Sequence, residues 1–218
     1  MAQVFPRSFN ALVQASVVVA GLAVAGLGTV AYLLDRGPAT TRQGVTLNQP
    51  VPFSHEHHVA GLGIDCRYCH SAVEKSSTAG IPATSTCMNC HKLIWTNAAL
   101  LEPVRSSFKT GAPLRWAKVY DLPDYVYFNH SIHIAKGIGC VSCHGRVDTM
   151  PLMRQVVSLQ MEWCLQCHRN PAAYIRPRSE VFNMEWMAQD QTALGAKLIK
   201  EYQIRSPKDL TSCSTCHR

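Results

Sequence analysis

Cys-x-x-Cys-His occurs five times in this 218-residue chain and uses every cysteine it contains. The copies are Cys66-Arg-Tyr-Cys69-His70, Cys87-Met-Asn-Cys90-His91, Cys140-Val-Ser-Cys143-His144, Cys164-Leu-Gln-Cys167-His168 and Cys213-Ser-Thr-Cys216-His217. In this pentapeptide two thiols can add across the vinyl groups of a haem, and the histidine that follows is then held against the iron. Five copies predict five covalently bound haem c groups, with His70, His91, His144, His168 and His217 as proximal ligands.

Zinc and disulfides explain the pattern less well. Cys66/Cys69 and Cys87/Cys90 have zinc-ribbon spacing, but five dithiols cannot be divided into four-cysteine sites. Neither zinc nor a redox dithiol requires a histidine after every pair. A bridge across two intervening residues is usually redox-active rather than structural, and five in one small chain would be unusual.

The cofactor load sets the fold class. Once the N-terminal segment is set aside, roughly 37 residues remain per haem. That is too little polypeptide to build an ordinary apolar core around each group. The expectation is a mainly irregular and α fold: one N-terminal transmembrane helix, then a multihaem domain of short helices in which the haems form the core. The formal charge of +7 does not argue for a nucleic-acid partner, because five haems also bring ten propionates.

Ser8 to Leu34 carries no charged residue. Its apolar run, Ala11–Leu34, is about 24 residues or ~36 Å as a helix, enough to cross a bilayer with some tilt. It exceeds the ~7–15-residue apolar core of a secretory signal and predicts an uncleaved anchor. Arg7 precedes the run, and Asp35 and Arg36 follow it. Gly21, Ala25 and Gly28, with Tyr32 beyond, form a small-residue face against which another membrane helix can pack. Haem attachment takes place outside the cytoplasm, which places the haem domain on the periplasmic or external face of a bacterial cytoplasmic membrane.

The chain contains a duplication. Phe53-Ser-His-Glu-His-His-Val-Ala-Gly-Leu-Gly-Ile-Asp-Cys-Arg-Tyr-Cys-His70 aligns with Phe128-Asn-His-Ser-Ile-His-Ile-Ala-Lys-Gly-Ile-Gly-Cys-Val-Ser-Cys-His144, one residue shorter. Each copy continues to a valine and an acid (Val73-Glu74, Val147-Asp148) and ends in a second motif. Five histidines lie outside the motifs: His55, His57, His58, His130 and His133. His55 aligns with His130 and His58 with His133, whereas His57 aligns with Ile132. Histidines three apart share one side of a helical turn, so these four read as distal ligands to neighbouring irons and His57 as the spare. One iron then lacks a histidine on its second side. The second copy supplies Met150 where the first has Ser76, and Met161 where the first has Thr84. A thioether is a normal sixth ligand, so Met150 is the first candidate and Met161 the second. Packing against porphyrin is the competing role for either methionine.

Irons capped on both sides do not readily bind substrate; they carry electrons. The chain reads as a membrane-anchored relay rather than an enzyme in its own right. Four segments are expected: an anchor over 1–36, a first di-haem unit over 37–112, a second over 113–175, and a fifth-haem segment over 176–218. Trp95, Trp116, Tyr120, Tyr125 and Tyr127, between the units, are expected to pack on haem faces. Leu194, Leu198, Ile199 and Tyr202 predict an amphipathic helix covering a haem or a neighbouring subunit.

Three stretches carry a family resemblance: Pro113-Leu-Arg-Trp116 through Tyr125-Val-Tyr-Phe-Asn-His130, Cys143-His-Gly-Arg-Val-Asp-Thr-Met150, and Met161-Glu-Trp-Cys-Leu-Gln-Cys-His-Arg-Asn-Pro171. They resemble the pentahaem cytochrome c subunit of alternative complex III, with duplicated di-haem units similar to those of cytochromes c7 and c3. The likeness covers roughly residues 50–171. It implies a subunit of a quinol-oxidising complex whose partners are an iron–sulfur subunit of molybdoenzyme type, polytopic quinol-binding membrane subunits and a monohaem cytochrome subunit. It also implies onward transfer to a soluble cytochrome c, a blue copper protein or a terminal oxidase. The competing readings are a small membrane-anchored quinol dehydrogenase feeding a periplasmic reductase, and a multihaem reductase with one open iron.

Overall fold

The computed structural model describes residues 6–217; the first five residues expected in the anchor, and the Arg7 side chain, lie outside the described set. The chain divides into two compact units, residues 1–43 and 44–218. The first holds α1 (Arg7–Arg36) and the short α2 (Pro38–Thr41). α1 is long and apolar enough to cross a membrane. Two hydroxyls in its apolar run are satisfied within the helix, Ser16 Oγ donating to the Val13 carbonyl and Thr29 Oγ1 to that of Ala25, both at 2.9 Å, as a span without water requires.

The second unit is mainly helical. Its α-helices are α3 (Cys66–Cys69), α4 (Thr84–His91), α5 (Glu102–Thr110), α6 (His130–Ala135), α7 (Cys140–His144), α8 (Met161–Arg169), α9 (Gln191–Glu201), α10 (Pro207–Leu210) and α11 (Cys213–Cys216). Glu56–Gly61 is a π-helical turn. Among the described residues pairing of the β type is confined to isolated bridges, Thr46 with Arg154 and Ile138 with Ile175.

Local sequence explains where the helices start and stop. The Asp65 carboxylate accepts from the Arg67 amide and caps α3. Asn129 does the same for α6 and Asp190 for α9, each accepting an amide three residues on. α5 ends at Gly111 in the left-handed region, φ 73°, with its amide on the Ser107 carbonyl.

The two copies of the repeat differ by one residue, and the structure shows how the difference is absorbed. The shorter copy makes the ordinary helix α6. The longer copy makes the π-helical turn over Glu56–Gly61. Beyond each, the chain returns in the same way: Ile64 N donates to the His58 carbonyl, and Ile138 N to that of His133. The extra residue is taken up as a wider turn between the second histidine and the Cys-x-x-Cys-His segment.

Apolar packing is thin. One cluster joins Val51, Leu101 and Val104, with Cys87, Met88, Leu114 and Trp116 against it. A second joins Ile175, Leu198 and Tyr202, with Ile138, Leu194 and Ile199 against it. The apolar face of α9 covers this chain's own cluster. Trp116 likewise packs into the first cluster. Leu198 and Tyr202 pack on Ile175 because Gly195 lets α9 lie directly on the backbone of Ala172.

Candidate haem-binding sites

Each Cys-x-x-Cys segment forms a short helix or lies within one, with its histidine at or just past the end. In every case the second cysteine is three residues after the first, so both thiols leave from one side of a turn. All ten cysteines are free thiols, at intermediate burial or exposed. Burial pushes the Cys140 and Cys167 thiols up to about 11 and the Cys143 thiol to about 12, so these thiols are held in their neutral form.

The histidines are oriented by backbone carbonyls. His70 Nδ1 lies 2.7 Å from the Gly80 carbonyl, His91 Nδ1 3.2 Å from Ile94, His168 Nδ1 2.9 Å from Leu210 and His217 Nδ1 3.1 Å from Tyr125. Among the distal set, His58 Nδ1 lies 2.8 Å from the Ser54 carbonyl, His133 Nδ1 2.7 Å from Asn129 and His130 Nδ1 2.9 Å from Ser77. A carbonyl oxygen only accepts, so each of these Nδ1 atoms is the donor and each ring turns Nε2 away from it, the atom a metal would take. Burial, then the facing histidines, holds His55 and His144 down to about 4, which also keeps them neutral.

The rings come together in facing pairs. Centroids of His58 and His91 are 6.2 Å apart, of His133 and His168 6.2 Å, and of His130 and His144 6.5 Å. Two imidazoles bound to one metal at about 2 Å each put their centroids roughly 6 Å apart, so these pairs have the separation of two axial ligands on one iron. The repeat assigns His55 to His70 by equivalence with His130 and His144. Among the described residues no cluster of three or more His, Cys, Asp or Glu side chains could hold a bare ion. Facing pairs suit a metal that already has four nitrogens from a porphyrin. The residues present therefore fit haem and do not fit structural zinc.

The two copies are built alike. Phe53 meets His55 edge-on at 4.9 Å and 87° and stacks on His58 at 4.4 Å and 25°. Phe128 meets His130 at 4.7 Å and 90° and stacks on His133 at 4.5 Å and 27°. The copies also hold each other. Ser131 N donates to the Ser76 carbonyl and Glu56 N to the Met150 carbonyl, and the repeat makes these the same contact made in both directions.

Contact between attachment segments follows a different order from the sequence. Asn89 Nδ2 of the second motif donates to Tyr68 Oη of the first at 3.0 Å. Arg67 of the first motif lies over Phe182, whose neighbour Val181 accepts the Cys140 amide of the third; the third and fourth motifs share the His130/His144 and His133/His168 turn; and His168 of the fourth reaches the Leu210 carbonyl on α10, just before the fifth. Numbered by sequence, the motifs run second, first, third, fourth, fifth.

The remaining candidates fall outside the pairs. His57 is exposed and stacks on Trp95 at 5.9 Å and 22°. Met150 is buried beside the His55 turn. Met161 is exposed at the start of α8, the helix that packs on α10 and carries Cys164. Tyr120, expected from the sequence only to pack on a haem face, has partners of its own: its ring lies 4.4 Å from His144, its hydroxyl donates to the Cys143 carbonyl at 2.9 Å, and it accepts the Val156 amide at 3.0 Å. Its place among other aromatics between the units was visible in the sequence; its partners, two backbone groups, were not.

A mainly helical chain with a helix able to span a membrane, five thiol pairs and facing imidazoles has the make-up of a multihaem c-type cytochrome. Comparison with known proteins supports that class. Residues 126–218 match the family described as cytochrome c7 and related cytochrome c, a stretch that takes in three of the five motifs and runs beyond residue 171. The chain is also similar to the multihaem cytochrome c subunit of menaquinone reductase from Nitratidesulfovibrio vulgaris, 36% identical over 97 residues, covering 44% of this chain and 45% of the relative. It thus spans less than half the length of the curated relative it matches.

Proposed function

We propose that the chain is the membrane-anchored pentahaem relay of a quinol-oxidising complex of the alternative complex III type. It is an electron-transfer subunit rather than an enzyme by itself. Bound haem c would supply reversible one-electron iron chemistry. The chain's own part is to fasten five porphyrins through its ten cysteines, cap four irons with His55/His70, His58/His91, His130/His144 and His133/His168, and hold the attachment segments in one row. The facing imidazole pairs carry this reading, because an iron closed on both sides can exchange electrons but has no position for substrate. The relative's name, a menaquinone reductase subunit, supports a quinone-linked setting.

The segments over 37–112, 113–175 and 176–218 then act as two di-haem units and a fifth-haem tail. His217 is the motif histidine left without a facing imidazole, and a methionine completes its iron. The setting of Met161, on the helix whose His168 reaches α10 just before the fifth motif, supports it over Met150, which lies beside the first copy's histidine turn. The haem unit would lie on the periplasmic face, because covalent haem attachment takes place outside the cytoplasm. There it would receive electrons from an iron–sulfur subunit, alongside polytopic quinol-binding and monohaem cytochrome subunits. It would pass them to a soluble cytochrome c, a blue copper protein or a terminal oxidase. Pyridine haemochrome analysis of the purified chain should give five haems per polypeptide, and the reduced protein should bind essentially no carbon monoxide. Fewer haems, or stoichiometric carbon monoxide binding, would overturn the relay.

A further inference from the structure

Seven of the nine histidines assigned to iron donate Nδ1–H to a backbone carbonyl; the other two, His55 and His144, have buried Nδ1 atoms with no hydrogen-bond partner in the protein. An aromatic ring lies against each. The edge of Phe53 lies against His55, and the ring of Tyr120 against His144, whose only polar atom is already engaged by the Cys143 carbonyl and the Val156 amide. The repeat does not force this difference. His130, the counterpart of His55, bonds to the Ser77 carbonyl, and His70, the counterpart of His144, bonds to the Gly80 carbonyl.

The two exceptions fall in different pairs. The His55/His70 and His130/His144 pairs each have one carbonyl-bonded imidazole and one that is not. The His58/His91 and His133/His168 pairs have two carbonyl-bonded imidazoles each. The mixed pairs belong to the first and third motifs, which are neighbours in the middle of the row: Arg67 lies over Phe182, and the adjoining Val181 accepts the Cys140 amide.

An Nδ1–H bond to an acceptor raises the donor strength of the ligating Nε2. A stronger donor stabilises ferric over ferrous iron and lowers the potential; a buried imidazole without that bond does the reverse. Resting on the proposed relay, we infer that the four bis-histidine irons form a low–high–high–low series along the row. The two adjacent middle irons, held by His55/His70 and His130/His144, have the more positive potentials. Phe53 and Tyr120 are positioning residues: they orient a ligand ring without offering it an acceptor. An electron arriving from either side moves downhill to the middle pair and must climb to leave it. Electrons therefore rest there, on two sites, the number that one quinol releases.

The test is a potentiometric titration of the full-length holoprotein, followed by visible absorbance and electron paramagnetic resonance. Histidine-to-methionine substitution raises the potential of the iron it serves, so His55→Met and His58→Met tag one middle and one outer site. The expected result is that His55→Met displaces one of the two higher bis-histidine waves and His58→Met one of the two lower. Where a variant fails to retain its haem, the missing wave identifies the site equally well. If His58 marks a higher wave than His55, the inference is wrong while the relay stands. If the wild-type protein lacks four bis-imidazole signals, the relay itself is wrong.

Discussion

At the scale of single residues, the site depends on groups whose partners are largely backbone. Tyr120 is one: its hydroxyl joins the Cys143 carbonyl to the Val156 amide, and burial pushes its own ionisation up to about 12. Tyr120→Phe keeps the ring against His144 but leaves both backbone groups unpaired, so denaturant unfolding of the holoprotein should show a loss of about 1–3 kcal/mol. Haem content should not change. Asp65 gives a pH-dependent case. The Arg67 guanidinium, bonded at 2.7 and 2.8 Å, holds its carboxyl down from 3.8 to about 2. A carboxyl depressed in the folded state stabilises it above its unfolded value and loses that contribution as pH falls from about 4 to about 2. Because the pair is half exposed, the contribution at neutral pH is at most about 1 kcal/mol. Asp65→Asn should be slightly less stable than wild type at pH 7, and the difference should vanish near pH 2; a constant difference would place the effect in the cap rather than the charge. Met161→Ala should open the His217 iron and produce one equivalent of carbon monoxide binding, whereas Met150→Ala should not. The reverse outcome would assign the ligand to Met150.

At the scale of elements, the repeat was the most legible feature of the sequence. Its conserved spacing of Phe, His and His in two places specified which side chains share a turn, and the structure sets both turns with nearly the same ring geometry. The π-helical turn was not legible, because an extra residue can equally be looped out. Leu62, exposed in the longer copy, is the residue without a counterpart. Its deletion should convert Glu56–Gly61 to an ordinary helix, as in α6, while both histidines keep their places. Five haems and unchanged bis-histidine spectra are expected; loss of a haem would show that the first copy needs its wider turn. The apolar face of α9 is legible in the sequence but the residues it packs on are not, since Ile138 and Ile175 lie far away in sequence and no local pattern announces them. Gly195→Ala tests the contact that seats it. A Cβ there would run into the Ala172 carbonyl, which is backbone and cannot swing aside. The substitution should destabilise the haem unit by about 1–3 kcal/mol, read by thermal or denaturant unfolding, although alanine favours helix more than glycine does.

At the scale of the whole molecule, the order of attachment segments decides what the chain can conduct. The sequence supplies five motifs in numerical order and does not say in which order they lie in space. The structure puts the second motif at one end and joins the first directly to the third. The reason is the reciprocal hold between copies: Ser76 takes the Ser131 amide and Met150 takes the Glu56 amide. That exchange draws the first motif of each unit to the middle and leaves the second motif of each on the outside. Sequence cannot show this, because each of these bonds pairs a backbone amide with a backbone carbonyl and any residue type would serve. The two orders predict different outcomes for the same substitutions. Cys87→Ala with Cys90→Ala removes an end of the row, so the four remaining haems should still be reduced in one continuous phase by a donor that reaches the other end. Cys140→Ala with Cys143→Ala removes the middle, so reduction should split into a fast phase for the fourth and fifth sites and a much slower one for the first and second. Stopped-flow absorbance on the holoprotein variants separates these. If loss of the second motif, rather than the third, breaks the reduction into two phases, conduction follows the sequence and the reciprocal arrangement does not govern it.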